Sequence, residues 1–198
     1  MAGIVRVDGQ PAGKSGRMIS TDSLLEVLGT DQPYVSRGGV KLKSALEYFA
    51  VDPQGLVALD IGASTGGFTH CLLLGGAEKV FAVDVGYGQL AWELRRDPRV
   101  KSLERTNIRY LEIEKIGECV DLVVIDVSFI SLRLIFPKAL ELLKPGGSLV
   151  ALAKPQFEAG VDDVGKRGKV SDTAVHEKVL ETLKVSAQQQ GFIVLGQT

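Results

Sequence analysis

Short apolar runs recur along the chain from Tyr34 onward, and segments with helical spacing separate them. Continuous apolar runs predict strands buried on both faces, whereas Leu42, Leu46 and Phe49 fall on one face of a predicted helix. The alternation predicts a doubly wound α/β domain with a mainly parallel sheet. We expect strands over residues 56–62, 79–85, 120–127, 148–154 and 192–197, a weaker strand near Val100, and helices over residues 38–49, 66–76, 89–97, 131–143 and 172–190.

The first part of the chain has a different pattern. Residues 3–10 alternate like a strand, residues 11–16 are rich in loop formers, and residues 23–29 predict a second strand. Such a segment is too short to bury a core of its own. We therefore expect two parts, residues 1–32 and residues 33–198. Pro137, inside a predicted helix, should kink the helix or lie in its first turn.

Composition narrows the class of protein. The 198 residues are 45% hydrophobic, and 23 basic residues nearly balance 24 acidic ones, so a nucleic-acid site would have to be a local patch. Cys71 and Cys119 show no pairing pattern and, with only two histidines, predict neither a disulfide scaffold nor a metal site. No apolar run approaches the length of a membrane span. We expect a cytoplasmic protein without a metal.

The loop after the first predicted strand of the α/β part is rich in glycine. In "DIGASTGGFTH", Gly62, Gly66 and Gly67 allow the backbone to approach a ligand, but the spacing is neither that of a dinucleotide loop nor that of a P-loop. Asp84 ends the next strand, where a carboxylate can accept hydrogen bonds from a ribose. The pattern favours S-adenosylmethionine. The alternative is a plain strand-to-helix turn with Asp84 as a cap.

Two more charged residues close the last two strands of this series. Asp126 follows the run at 120–125, and Lys154 closes the run "SLVALAK". Adjacent parallel strands would place the two side chains near each other and near the cofactor. A lysine at the end of a buried strand is costly to desolvate, so either its ammonium reaches water or its chemistry is needed there.

Six ordered motifs, "YVSRGGVKL", "DIGASTGGFT", "AVDVGYGQL", "VVIDVSFISL", "ALAKPQFEAG" and "VGKRGKVSDTAVHEKVL", resemble the TlyA-like (haemolysin A) branch of the FtsJ-like ribosomal RNA methyltransferases. The resemblance implies a Rossmann-like class I fold and methyl transfer from S-adenosylmethionine to a ribose 2′-hydroxyl. The implied target is a cytidine of large-subunit rRNA, with small-subunit rRNA as a second candidate. The implied cofactor-binding residues are Asp60, Gly62, Ala63, Ser64, Thr65, Gly66, Gly67, Phe68, Asp84, Asn107 and Asp126.

The resemblance also implies a Lys-Asp-Lys-Glu catalytic tetrad. Its first three members fall on Lys41, Asp126 and Lys154. Lys154 would accept the hydroxyl proton once burial and Lys41 favour its neutral form, while Asp126 orients it. No residue matches the motif of the glutamate, since Glu158 and Glu177 lie in other motifs.

Compared with the family pattern, this chain lacks parts at both ends. The last, antiparallel strand of the family's sheet, which carries the glutamate, is missing. Residues 1–32 resemble only the final strands of an S4-type RNA-binding domain, so the expected methyltransferase domain is residues 33–198 and is incomplete at its end.

RNA binding needs positive charge near the site. One basic cluster comprises Arg37, Lys41 and Lys43, and a second comprises Lys166, Arg167 and Lys169; the alternative is that both are ordinary solvated charges. Rival functions are a methyltransferase of another substrate, a catalytically impaired module that binds cofactor and RNA, a membrane-lysing protein, and an NAD-dependent oxidoreductase. The last two lack, respectively, an amphipathic segment and the required glycine spacing.

Overall fold

The first 33 residues and the remainder of the chain form two separate units in the computed structural model. The structure describes residues 5–14, 16–28, 33–160, 163–165 and 168–198. The division falls between Met1–Pro33 and Tyr34–Thr198. In the described residues no helix is long and apolar enough to cross a membrane.

The first unit is a small antiparallel sheet of three strands, β1 (Val5–Val7), β2 (Gln10–Pro11) and β3 (Leu25–Val27), in the order β2-β1-β3. The predicted single strand over residues 3–10 is wrong, because Asp8 and Gly9 turn the chain with φ angles of 50° and 77°. An Asp-Gly pair is a common hairpin turn, so the sequence carried this signal. Asp8 Oδ1 also accepts a hydrogen bond from Leu24 N at 2.8 Å.

The second unit contains a five-stranded parallel sheet in the order β6-β5-β4-β7-β8. Its strands are β4 (Val57–Ile61), β5 (Lys79–Val83), β6 (Val100–Leu103), β7 (Val120–Ile125) and β8 (Leu143–Ala151). The predicted parallel, doubly wound architecture is thus confirmed. Strand β4 lies at the centre of the sheet, and all five of its residues are buried. This burial explains why four of the five are apolar.

In the described residues, helices lie in all five segments for which the pattern predicts one, and two short helices lie outside those segments. They are α1 (Gly38–Tyr48), α2 (Gly67–Leu74), α3 (Trp92–Arg96), α4 (Ile113–Ile116), α5 (Phe136–Leu142), α6 (Pro155–Glu158) and α7 (Thr173–Gln189). Pro137 lies in the first turn of α5, where its missing N–H costs nothing. The segment before it, Leu132–Leu134, is a separate 3₁₀ turn capped by the Ser131 hydroxyl.

The core lies on both faces of the sheet because successive strand residues point to opposite sides. Leu59 and Ile61 of β4 belong to a cluster that includes residues of α5 and α7. Ala58, which alternates with them along the strand, belongs to a second cluster with Leu42 of α1 and Leu72 of α2. The sheet is therefore packed on both faces.

Two sequence predictions about the end of the sheet are wrong. Strand β8 ends at Ala151, so Lys154 lies three residues beyond the strand. The next residue, Pro155, lacks an N–H and begins α6. Residues 192–197 form no strand, and in the described part of the chain no strand pairs with them. Phe192 and Val194 nevertheless pack on the core, while Ile193 and Leu195 are exposed. The alternation of a strand is therefore present without its hydrogen-bonded ladder.

Candidate active site

Three strand ends meet at the carboxyl edge of the sheet. Ile61, the last residue of β4, is in register with Val83 at the end of β5 and with Ile125 at the end of β7. The residues that come next along the chain, Gly62, Asp84 and Asp126, therefore leave the sheet side by side. This edge is where open α/β sheets bind their ligands.

Gly62 allows the β4 and β7 loops to approach each other. Its φ is +87°, and a Cβ atom added there would lie 2.8 Å from the carbonyl oxygen of Asp126. Asp126 N in turn donates a hydrogen bond to Ile61 O at 3.0 Å. The glycine is thus required by both backbone conformation and close packing.

Asp84 joins the loops that follow β4 and β5. Its Oδ2 accepts a hydrogen bond from Ser64 N at 2.8 Å, and its Oδ1 accepts one from Gly86 N at 2.7 Å. The carboxylate borders a small cavity, which is also lined by Ala63, Ser64, Ala82, Gly86, Gln89, Leu90, Ser102 and Glu104. Each carboxylate oxygen has a second lone pair, so Asp84 can still accept hydrogen bonds from a ligand.

Asp60 is fully buried within β4. Its Oδ2 accepts hydrogen bonds from the backbone N and the hydroxyl of Thr69, at 2.9 and 2.7 Å. Its Oδ1 is buried without a hydrogen-bond partner among the described residues. The pKa of Asp60 is raised to about 7, mainly because the carboxyl is buried; the Thr69 hydrogen bonds oppose this rise, and the nearby Asp126 and Asp84 add to it.

Lys154 and Asp126 form an ion pair, as expected from neighbouring strands. Lys154 Nζ lies 2.6 Å from Asp126 Oδ1, with 20% and 24% of the two side chains exposed. The Lys154 ammonium donates its hydrogen bond to Ser128 Oγ rather than to Asp126, at a distance of 2.9 Å. Asp126 therefore contributes mainly its charge. The sequence prediction missed Ser128, although it lies in the same "DVSF" motif as Asp126.

Phe129 is a second residue that the sequence prediction missed. Its ring is 90% exposed, and its backbone has a φ of +64°, a strained value for a bulky side chain. The centroid of its ring lies 4.9 Å from that of Phe157, which precedes Glu158 in α6. Strained backbone and an exposed aromatic ring beside the ion pair are features of a binding surface rather than of a core.

The remaining predicted cofactor residues surround this edge in different ways. Ala63 is buried, whereas Ser64 and Thr65 are exposed on the loop. The side chain of Phe68 is in the core, so only its backbone borders the glycine loop. Asn107 caps a 3₁₀ turn by accepting a hydrogen bond from Arg109 N at 3.1 Å. Gly66 and Gly67 form the entry to α2.

The predicted basic residues are spread over several elements. Lys41 is exposed on α1, and no described hydrogen bond or ion pair joins it to Asp126 or Lys154. Lys43 forms a 3.0 Å ion pair with Glu47, whose hydrogen bond raises the pKa of Lys43. Arg37 and Lys169 are exposed. Two other predicted RNA-binding residues, Lys166 and Arg167, lie outside the described residues.

Comparison with known proteins identifies the family of this chain. The profile of the FtsJ-like methyltransferases matches residues 34–197. The chain is 49% identical, over 99% of its length and 70% of the relative's, to the Bacillus subtilis protein named "Putative rRNA methyltransferase YqxC". It is 48% identical, over 98% of its length and 73% of the relative's, to the Mycobacterium tuberculosis "16S/23S rRNA (cytidine-2'-O)-methyltransferase TlyA".

A solved structure is also similar over nearly the whole chain. It is called "Putative hemolysin from Streptococcus thermophilus" and is 47% identical, with a TM-score of 0.86, over 99% of this chain and 72% of the other. The family and the cofactor predicted from the motifs are thereby confirmed. The chain belongs to the FtsJ-like methyltransferase family, whose members use S-adenosylmethionine.

Proposed function

We propose that the protein transfers a methyl group from S-adenosylmethionine to a ribose 2′-hydroxyl of ribosomal RNA, at a cytidine. The observation that carries the proposal is the Lys154–Asp126 ion pair, 2.6 Å long, at the carboxyl edge of the sheet beside the glycine loop. The name of the Mycobacterium tuberculosis relative gives that protein the same reaction on 16S and 23S rRNA. Work on ribosomal RNA would place the protein in the cytoplasm.

The loop residues fit the cofactor. A Cβ at Gly62 would occupy space between the β4 and β7 loops, and Asp84 offers two carboxylate oxygens for a ribose diol. Asp60 Oδ1, buried without a described partner, is suited to a donor or cationic group of the ligand. When bound, S-adenosylmethionine supplies an activated methyl group on a sulfonium. The binding residues would be Asp60, Gly62, Ala63, Ser64, Thr65, Gly66, Gly67, Phe68, Asp84, Asn107 and Asp126, with Phe68 contributing through its backbone.

Lys154 would orient the ribose hydroxyl. An ammonium has three donors. Lys154 Nζ donates one hydrogen bond to Ser128 Oγ and lies 2.6 Å from Asp126 Oδ1, and a further donor would serve the 2′-oxygen. To accept the hydroxyl proton Lys154 must first lose one of its own. Lys41, the first lysine of the tetrad that the resemblance implies, is the third catalytic residue that we propose. We assign Lys154 the proton transfer, Ser128 the orientation of its ammonium, and Asp126 the negative charge beside it.

The RNA would reach the ion pair along the surface that carries Phe129. Unpaired nucleotides stack on exposed aromatic rings, and the Phe129 ring is exposed in the loop that also holds Ser128. Arg37, Lys43 and Lys169 would neutralise phosphates, with Lys166 and Arg167 assigned the same role from sequence alone. The first unit, predicted over residues 1–32, would add RNA contacts.

Methylation of isolated ribosomal subunits tests the proposal. The protein is incubated with subunits and cofactor, and 2′-O-methyl nucleotides are mapped by mass spectrometry. We expect a methylated cytidine that is missing when Lys154→Ala is used, while the cofactor Kd stays within about threefold because the lysine contacts the hydroxyl rather than the glycine loop. RNA that remains unmodified by the wild type would refute the proposed reaction. Equal methylation by Lys154→Ala would refute the role assigned to the lysine.

A further inference from the structure

The loops that carry the ion pair are joined by a second carboxylate, Glu158. Its Oε2 accepts a hydrogen bond from the Ser131 hydroxyl at 2.6 Å, and its Oε1 accepts one from Leu132 N at 2.7 Å. Ser131 belongs to the loop after β7, which also holds Asp126, whereas Glu158 belongs to the loop after β8. Glu158 therefore bridges two loops that start from adjacent strands.

The bridge lies beyond the last backbone contact between the two strands. That contact is the hydrogen bond from Leu152 N to Ile125 O, at 2.9 Å. Beyond this hydrogen bond the two segments leave the sheet. The backbone hydrogen bonds between β7 and β8 therefore do not fix the position of Lys154. A charge-assisted hydrogen bond to a carboxylate is roughly twice as strong as a neutral one. Glu158 makes two contacts of this kind, both partly buried.

Lys154 is coupled to Glu158 through α6. Lys154 is the residue at the amino end of this four-residue helix, and Phe157 N donates to Lys154 O at 2.9 Å. Holding Glu158 at the far end of one helical turn thus holds the backbone of Lys154. On the other side of the bridge, Ser131 lies three residues after Ser128, which accepts the hydrogen bond of the lysine.

We infer that Glu158 is a positioning residue: it clamps the β7 and β8 loops so that the Lys154 ammonium stays between Asp126 and Ser128. The inference rests on the proposed function for its kinetic consequence, but not for its structural one. Misplacement of a reacting group by about 1 Å costs up to roughly 100-fold in rate. We therefore expect Glu158→Ala to lower kcat by roughly 10- to 100-fold, with a smaller change in the KM for RNA.

Three variants separate positioning from general destabilisation. Glu158→Gln keeps an oxygen for Leu132 N and an amide that donates to Ser131 Oγ, so it should recover most of the kcat. Ser131→Ala removes one of the two contacts and should fall between Glu158→Ala and the wild type. Glu181→Ala, which breaks an exposed 3.4 Å pair with Lys184 on α7, is the matched control and should behave as wild type.

The decisive experiment combines crystal structures of the wild type, Glu158→Ala and Glu158→Gln with single-turnover kinetics of the same proteins. The inference predicts that the 2.6 Å and 2.9 Å contacts of Lys154 Nζ are lost in Glu158→Ala and kept in Glu158→Gln. Unchanged Lys154 contacts in Glu158→Ala would overturn it, whether or not the protein methylates RNA. A wild type that fails to methylate RNA would overturn the proposed function alone, because the structures still decide the inference.

Kinetics provide a second decision when the wild type is active. If kcat falls in Glu158→Ala and stays equally low in Glu158→Gln, the charge of the carboxylate matters rather than its two hydrogen bonds. That result would overturn the inference. Cofactor Kd and thermal unfolding are measured in parallel. We expect the cofactor Kd of Glu158→Ala to stay within about threefold of wild type, because the described contacts of Glu158 are with the β7 loop rather than with the glycine loop.

Discussion

Replacing Gly62 by alanine tests whether the contact between the β4 and β7 loops holds the site together. The backbone at Gly62 has a φ of +87°, where an L-residue costs about 1–2 kcal/mol. The added Cβ would also lie 2.8 Å from Asp126 O, and relieving such overpacking costs a further 1–3 kcal/mol, roughly. The total is about 2–5 kcal/mol of unfolding free energy, or a Tm lowered by about 4–20 °C for a chain of this size.

Gly55→Ala is the matched control for the Gly62 substitution. Gly55 also has a positive φ, +71°, but nothing lies within 4 Å of the position of its Cβ, so only the backbone strain of about 1–2 kcal/mol applies. Both variants are measured by urea unfolding and by calorimetric cofactor titration. We expect Gly62→Ala to be the less stable and to bind cofactor more weakly, with Gly55→Ala binding as wild type. Equal losses of stability in the two variants would show that close packing of Gly62 against the Asp126 carbonyl does not contribute.

Two further substitutions test the burial of Asp60 and the exposure of Phe129. Because the pKa of Asp60 is raised from 3.8 to about 7, the unfolded chain ionises first, and the unfolding free energy should fall as pH rises between these values. Asp60→Asn should flatten that dependence in urea unfolding at pH 5 to 8; parallel curves would contradict the raised pKa. Phe129→Ala should raise the KM for RNA by roughly 5- to 150-fold, since stacking of a base contributes about 1–3 kcal/mol, whereas Phe129→Tyr should not. An unchanged KM in Phe129→Ala would exclude stacking.

The sequence predicts the sheet well because its signal is local. A strand buried on both faces must be a continuous apolar run, and an acid directly after such a run must lie at the edge of the sheet. The positions of Asp84 and Asp126 beside Gly62 therefore follow from the order of runs and acids along the chain. The wrong strand at residues 192–197 shows the limit of that signal, since alternation predicts a strand but not the partner that must pair with it.

The contacts between loops could not be predicted in the same way. Whether Lys154 bonds to Ser128 and whether Glu158 reaches Ser131 depend on the path of two loops after they leave the sheet. In each case the two partners are more than 20 residues apart, 26 and 27 respectively, and no periodic pattern relates them. The sequence motifs contained all four residues, but only the folded chain shows which of them touch.

The ion pair is better explained by chemistry than by stability. Taking Lys154 and Asp126 partly out of water costs free energy that their attraction repays only with good geometry, and well-packed apolar residues often replace such pairs without loss. Here the aligned hydrogen bond of the lysine goes to Ser128, so the geometry of the pair itself is not the best for stability. The pair lies at the carboxyl edge of the sheet, on the two loops that Glu158 bridges. This arrangement fits the proposed role, in which Lys154 meets a ribose hydroxyl.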